Sequence, residues 1–217
     1  MSLPAPRPPL PPLLPPLPDL RGIDFRLAGY VALAAAAIAL LGLGWRWYRR
    51  RRARAELLRT VTGGAFEHLQ DVLVPDGQGA ALHVDFLLLT VRGCIVIDMR
   101  DIAGNIFGGD QMNEWTVMHR DQRYTFANPQ TGLYDRIAVV RALVTDLPVE
   151  GRVVFSAKGR FPKGLPRYTL MLESLAAEFP PAERQQAGAV PDAWRAEWER
   201  LRTACHPSGL VDPKPAV

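Results

Sequence analysis

Two apolar runs of β character stand side by side in the middle of the chain. Leu82-His83-Val84-Asp85-Phe86-Leu87-Leu88-Leu89-Thr90 and Cys94-Ile95-Val96-Ile97-Asp98-Met99-Arg100 are joined around Val91-Arg92-Gly93. Both are apolar at nearly every position, as expected of strands buried on two faces. Ahead of them, Leu57, Leu58, Val61, Ala65, Leu69 and Val72 recur at helical intervals. This predicts a helix from Arg54, weakened at Gly63-Gly64, with Glu67 and His68 on its C-terminal half, ending before a turn at Pro75-Asp76-Gly77. Beyond the strands, Glu114–Met118 and Arg123–Phe126 read as a hairpin, and Asn128-Pro129 opens a helix over Thr131–Thr145. Gly151–Ser156 reads as a strand, Phe161–Pro166 as a loop and Tyr168–Leu172 as a short strand. Helices over Glu173–Phe179 and Asp192–Thr203 complete the pattern. The order predicts one α/β domain, a mixed sheet flanked by helices.

The N-terminal third follows other rules. Residues 1–26 hold a proline-rich tract, with nine prolines among the first twenty residues, which excludes a helix there. Leu27 to Trp45 is 19 residues without a charge, about 28 Å as a helix at ~1.5 Å per residue. This length predicts a single transmembrane helix. Trp45, Trp47 and Tyr48 stand where an interfacial aromatic belt would lie, and the basic juxtamembrane segment 46–59 follows. Six arginines after the span (Arg46, Arg49 to Arg52 and Arg54) outweigh three before it, so the soluble domain is expected on the cytoplasmic side of the inner membrane, with lipids as partners. Gly42 and Gly44 do not make the spacing of close helix pairing.

Charge sharpens this division. Residues 1–60 carry ten Arg against Asp19, Asp24 and Glu56, a net of +7, while the chain totals +4, so residues 61–217 sum to −3. The basic balance belongs to the collar, which removes the compositional argument for a phosphate-binding domain. Cys94 and Cys205 are too few for a disulfide framework and have no Cys-x-x-Cys spacing, and Cys94 reads as a core residue. His68, His83, His119 and His206 show no metal-ligand spacing, and the strand positions of Trp115 and Phe126 favour core packing over base stacking. The segment Gly104–Gly109 lacks a Gly-Lys-Ser/Thr ending and reads as a loop unsuited to cradling phosphate.

An acid inside a buried run must be paired, hydrogen-bonded or metal-bound. Because side chains alternate along a strand, Asp98 and Arg100 share a face, and Asp85 on the neighbouring strand can lie across from them. The expected cluster is Asp, Asp, Arg near strand ends.

With these residues in view, the chain resembles the nuclease-related domain family, whose core is restriction-endonuclease-like. The resemblance runs over about residues 60–175, within a domain placed at 60–179 and followed by a helical extension and tail at 180–217. It rests on Glu67 after Gly63-Gly64, Val84-Asp85-Phe86, Gly93 to Arg100 with Gly104, Trp115, Asn128-Pro129 and Val153-Val154-Phe155. It implies Glu67, Asp85, Asp98 and Arg100 as catalytic residues, Asp85 and Asp98 as metal ligands, Mg²⁺ as cofactor if the site is active, and DNA or RNA as substrate. Two departures fall at the centre of the motif. The family's Glu-x-Lys is Asp98-x-Arg100, and the Gln of its Asn-Pro-x-x-Gln helix start is replaced by Gly132. Asp for Glu is mild, whereas Arg is always cationic and cannot serve readily in proton transfer. The expected function is a membrane-anchored, degenerate nuclease fold used for binding or scaffolding. The alternatives are a Mg²⁺-dependent phosphodiester hydrolase and a purely structural domain.

Overall fold

The computed structural model describes residues 25–180 and 190–209, with the side chains of residues 25–29, 31 and 32 left out. The expected proline-rich tail, apart from its last two residues, lies outside the described residues. The chain divides into two compact units, Met1–Ala53 and Arg54–Val217.

The described part of the first unit is helical. Helix α1 spans Phe25–Thr62, and Leu33, Ile38, Leu40, Leu41 and Leu43 on it are 65–74 % exposed. The expected transmembrane helix is not borne out: among the described residues, no helix is long and apolar enough to cross a membrane.

The second unit is a mixed α/β domain with two sheets. Strands β1 (Glu67–Pro75), β2 (Ala81–Thr90), β3 (Gly93–Arg100), β4 (Gly104–Phe107), β5 (Glu114–His119) and β6 (Gln122–Ala127) precede helix α2 (Pro129–Leu143). Strands β7 (Val149–Phe155), β8 (Gly159–Arg160) and β9 (Thr169–Met171) follow. A 3-10 turn then leads into α3 (Leu175–Glu178), and α4 (Asp192–Ala204) and β10 (His206–Pro207) close the described chain. The larger sheet has the order β10-β1-β2-β3-β7-β9, antiparallel from β10 to β3 and parallel from β3 to β9. The smaller has the order β6-β5-β4-β8.

Two apolar clusters flank the larger sheet. Leu87, Leu89, Cys94 and Val96 face α2 residues Leu133, Ile137 and Val140, with Trp198 and Leu201 of α4. Phe86, Leu88, Ile95 and Ile97 face Val61, Ala65, Leu175 and Phe179. Alternate positions thus serve opposite clusters, as buried strands require. Trp115 is fully buried among Phe126, Phe155 and Phe161, each with its ring centroid 6.0 Å away, which confirms its core role.

Two expectations need correction. The helix from Arg54 stops at Thr62, and Glu67 lies on a strand. Gly63-Gly64 ends the helix, and Gly64 brings its backbone so close to Phe179 that a Cβ would sit 2.3 Å from the Phe179 carbonyl oxygen. From Asp71 onward the burial of Val72 and Val74 follows period two. The Gly104–Gly109 loop is in fact led by strand β4, paired with β5 and β8.

Candidate functional site

The candidate site forms where the ladders between β1, β2 and β3 break off. The β2–β3 pairing ends at Phe86↔Ile97, whereas β3 stays paired with β7 through Arg100↔Phe155. Past Ile97, the side chain of Asp85 takes over from the missing ladder: its Oδ2 accepts the Met99 backbone N–H at 2.7 Å. On the other side of β2, the β1–β2 ladder pairs Gln70↔Phe86 and Val72↔Val84 but skips the position between them, Asp71 and Asp85. Asp71 has φ 54, rare for a residue with a side chain. Across the skip the strands change allegiance, because Phe86 belongs to one apolar cluster and Val72 and Val84 to the other. An irregular strand pair at the rim of a sheet re-aims side chains, and here it groups charged ones.

Asp98 continues the parity of Cys94 and Val96 and so faces α2. It is 3 % exposed. Arg100, two residues on and on the same face, donates from Nη2 to Asp98 Oδ2 at 2.7 Å. A second guanidinium reaches the same oxygen from α2: Arg136 Nη1 lies 3.7 Å from Asp98 Oδ2. Arg136 is held there by two backbone acceptors, the His83 carbonyl at 2.6 Å from Nε and the Gly132 carbonyl at 2.8 Å from Nη1. A Cβ on Gly132 would lie 2.8 Å from Arg136 Nη1, so the bare glycine leaves room for the guanidinium. The Nε of Arg100 is buried and has no hydrogen-bond partner.

His83 bridges toward β1. Its Nε2 is 2.6 Å from Asp71 Oδ1 and its Nδ1 is 3.9 Å from Asp85 Oδ1. Asp71 also accepts from the Ser208 hydroxyl, which fastens β10 beside the site. Burial raises the Asp85 pKa above the ordinary carboxylate value. The Met99 N–H works against this and the Asp98 charge adds to it, while His83 and Arg100 favour the charged form; the result is a raised pKa.

The structure therefore brings Asp85, Asp98 and Arg100 together, as the alternation of side chains predicts. It does not bring Glu67 to them. Glu67 pairs with Leu89, four residues along β2 from Asp85, about 14 Å at ~3.4 Å per residue. Its carboxylate instead accepts the Trp198 indole N–H at 2.9 Å. Arg136 was missed by the sequence reading. The signal for it was Gly132, one helical turn earlier, where the family carries a larger polar residue.

The donor set does not fit a divalent cation. Among the described residues, no group of three or more His, Cys, Asp or Glu side chains could hold a metal ion. Asp85 and Asp98 have the hard oxygens that Mg²⁺ prefers, but one oxygen of Asp85 is spent on Met99 and one of Asp98 on two guanidinia. Asp85 and Asp98 face the two fixed positive charges of Arg100 and Arg136, while Asp71 is taken up by His83 and Ser208. The arrangement can hold strand ends and helix α2 together and present two partly buried guanidinia. Neither guanidinium readily gives up a proton, so neither Arg100 nor Arg136 takes the place of a proton-transferring Lys.

No curated protein and no solved structure matches the chain. The family model described as nuclease-related domain matches residues 46–156, which run from the arginine collar to the end of β7 and include Asp85, Asp98, Arg100 and Arg136. That match covers just over half of the 217 residues, and the chain belongs to the nuclease-related domain family.

Proposed function

We propose that this protein is a nuclease-related domain whose cleavage centre has become an internal ion-pair network, and that it acts by binding or scaffolding at the cytoplasmic face of a membrane. One observation carries the first half: Asp98 is buried and its Oδ2 is engaged by Arg100 at 2.7 Å, with Arg136 at 3.7 Å. In a metal-dependent nuclease that carboxylate would serve the cation. Here a guanidinium hydrogen-bonds it directly, and taking the partner away from a buried carboxylate is costly.

The membrane placement rests on the first unit. Leu33, Ile38, Leu40, Leu41 and Leu43 are exposed, and at about 100° per residue they lie all around the helix. A helix apolar on every side finds no water-facing surface of its own. Trp45, Trp47 and Tyr48 follow, and then the arginine run, an order that suits the interface and anionic headgroups of a bilayer.

The test is a cleavage assay of the full chain on single- and double-stranded DNA and RNA, with Mg²⁺ or Mn²⁺ and with chelator. The expected result is no divalent-dependent cleavage by the wild type and its appearance, if anywhere, in Arg100→Lys. Robust wild-type cleavage that Asp85→Ala abolishes would establish the hydrolase instead.

A further inference from the structure

The mismatch between the family's metal chemistry and this donor set has a specific author in the sequence, and it is a residue outside the strand motif. Arg136 comes from the middle of α2, a different element from those carrying Asp85, Asp98 and Arg100. Three features fix its head: the His83 carbonyl at 2.6 Å, the Gly132 carbonyl at 2.8 Å and the Asp98 carboxylate at 3.7 Å. The first two acceptors are backbone atoms, so the guanidinium is located by the fold as much as by its partner. Gly132 is part of the same device, since any side chain there would start 2.8 Å from Arg136 Nη1.

We propose that Arg136 is a built-in cation that stands in for a divalent ion, seated against Asp98 through the space Gly132 leaves open. This deepens the reading of a closed, non-catalytic site and rests on it. With Asp71 taken up by His83 and Ser208, Arg100 alone would leave Asp85 and Asp98 with one net negative charge, an attractive place for a metal. Arg136 cancels that charge and approaches Asp98 Oδ2 alongside Arg100. A rigid, always charged guanidinium suits this role, because it cannot shed its charge on burial as an amine can. The consequence is a site whose integrity is indifferent to divalent ions, and whose sheet and α2 are joined by charge at the point where β2 leaves β3.

The experiment compares the full chain as wild type, Arg136→Gln and Arg136→Lys by calorimetric titration with Mn²⁺, with melting temperature followed with and without the ion. Arg136→Gln should bind Mn²⁺ at least about tenfold more tightly than the wild type, a modest figure for removal of a unit charge about 4 Å away. Its melting temperature should rise on adding Mn²⁺. Arg136→Lys, which keeps a cation, should behave as the wild type. A folded Arg136→Gln chain that binds Mn²⁺ no better than the wild type would overturn the proposal. Should that variant not fold without metal, Gly132→Gln, which displaces the guanidinium while keeping Arg136, decides by the same comparison. Tight Mn²⁺ binding by the wild type itself would refute the closed-site reading, whereas the role of Arg136 stands or falls on the difference between variant and wild type.

Discussion

Asp85 occupies the position where a carboxylate gains least from being charged. Burial and the nearby Asp98 raise its pKa above 3.8, although Met99, His83 and Arg100 oppose them. The sign follows from linkage: a carboxyl with a raised pKa binds its proton more tightly in the folded than in the unfolded chain. Its contribution to stability is therefore greatest below pH 3.8, declines as pH rises toward the raised value, and is flat above it. At neutral pH the wild type bears the full penalty. Asp85→Asn keeps an oxygen for the Met99 N–H and removes the charge, so the variant should be at least as stable as the wild type at about pH 7, with a shallower stability profile on the acid side. Urea unfolding between about pH 4 and pH 7 checks this; a clear loss of stability at pH 7 would show that the Asp85 charge is needed. At this scale the sequence was informative wherever one strand decides the geometry. Asp98 and Arg100 share a face because side chains alternate, and an acid in an apolar run had to find a partner. Arg136 was not legible, because its meeting with Asp98 depends on how α2 docks on the sheet.

Among the elements, the strands of the central hairpin were read within a residue or two, since continuous apolar runs bounded by Gly93 leave few alternatives. The segment after Gly63-Gly64 was not. Leu57, Leu58 and Val61 set a helical period that carries by chance through Ala65, Leu69 and Val72, and only the sheet on the other side decides for β1. Strand β4 was hidden for a similar reason: its glycine-rich sequence has little β propensity, and its pairing with β5 and β8 supplies what propensity does not. Helix α2 begins where its signal lies, with Asn128 Oδ1 accepting the Gln130 N–H at 2.9 Å and Pro129 in the first turn. The α2–β7 contact makes a sharp prediction. A Cβ on Gly151 would sit 2.6 Å from Ile137 Cδ1 and 2.8 Å from Leu133 Cδ1, both in the core. Gly151→Ala should therefore destabilise the domain by about 1–3 kcal/mol through overpacking, measurable by denaturant unfolding. An unchanged midpoint would mean that α2 shifts freely, and that Arg136 is held less firmly than its backbone bonds imply.

For the whole molecule, the charge division assigns the parts different work. A collar at +7 precedes a domain at −3, so in the proposed membrane placement the electrostatic attraction to anionic lipid belongs to the first sixty residues. The proposed membrane placement predicts that the full chain fractionates with membranes and that deletion of residues 27–45 releases it; recovery of the deleted chain in salt-washed membranes, or of the full chain in the soluble fraction, would contradict it. The sequence defined the charge of the collar, because charge is local, whereas the transmembrane reading of its apolar neighbour was not borne out among the described residues. It revealed the family through the order of several weak motifs, and it showed departures from the family's pattern at Asp98, Arg100 and Gly132. What it did not contain was the balance of charge at that centre, which arises only when three strands and one helix meet. The most direct test of that balance is calorimetric titration of the intact wild-type chain with Mg²⁺ at neutral pH, beside Asp85→Ala. The account predicts no saturable binding and matching traces for the two proteins; one-site binding by the wild type that disappears in Asp85→Ala would contradict it.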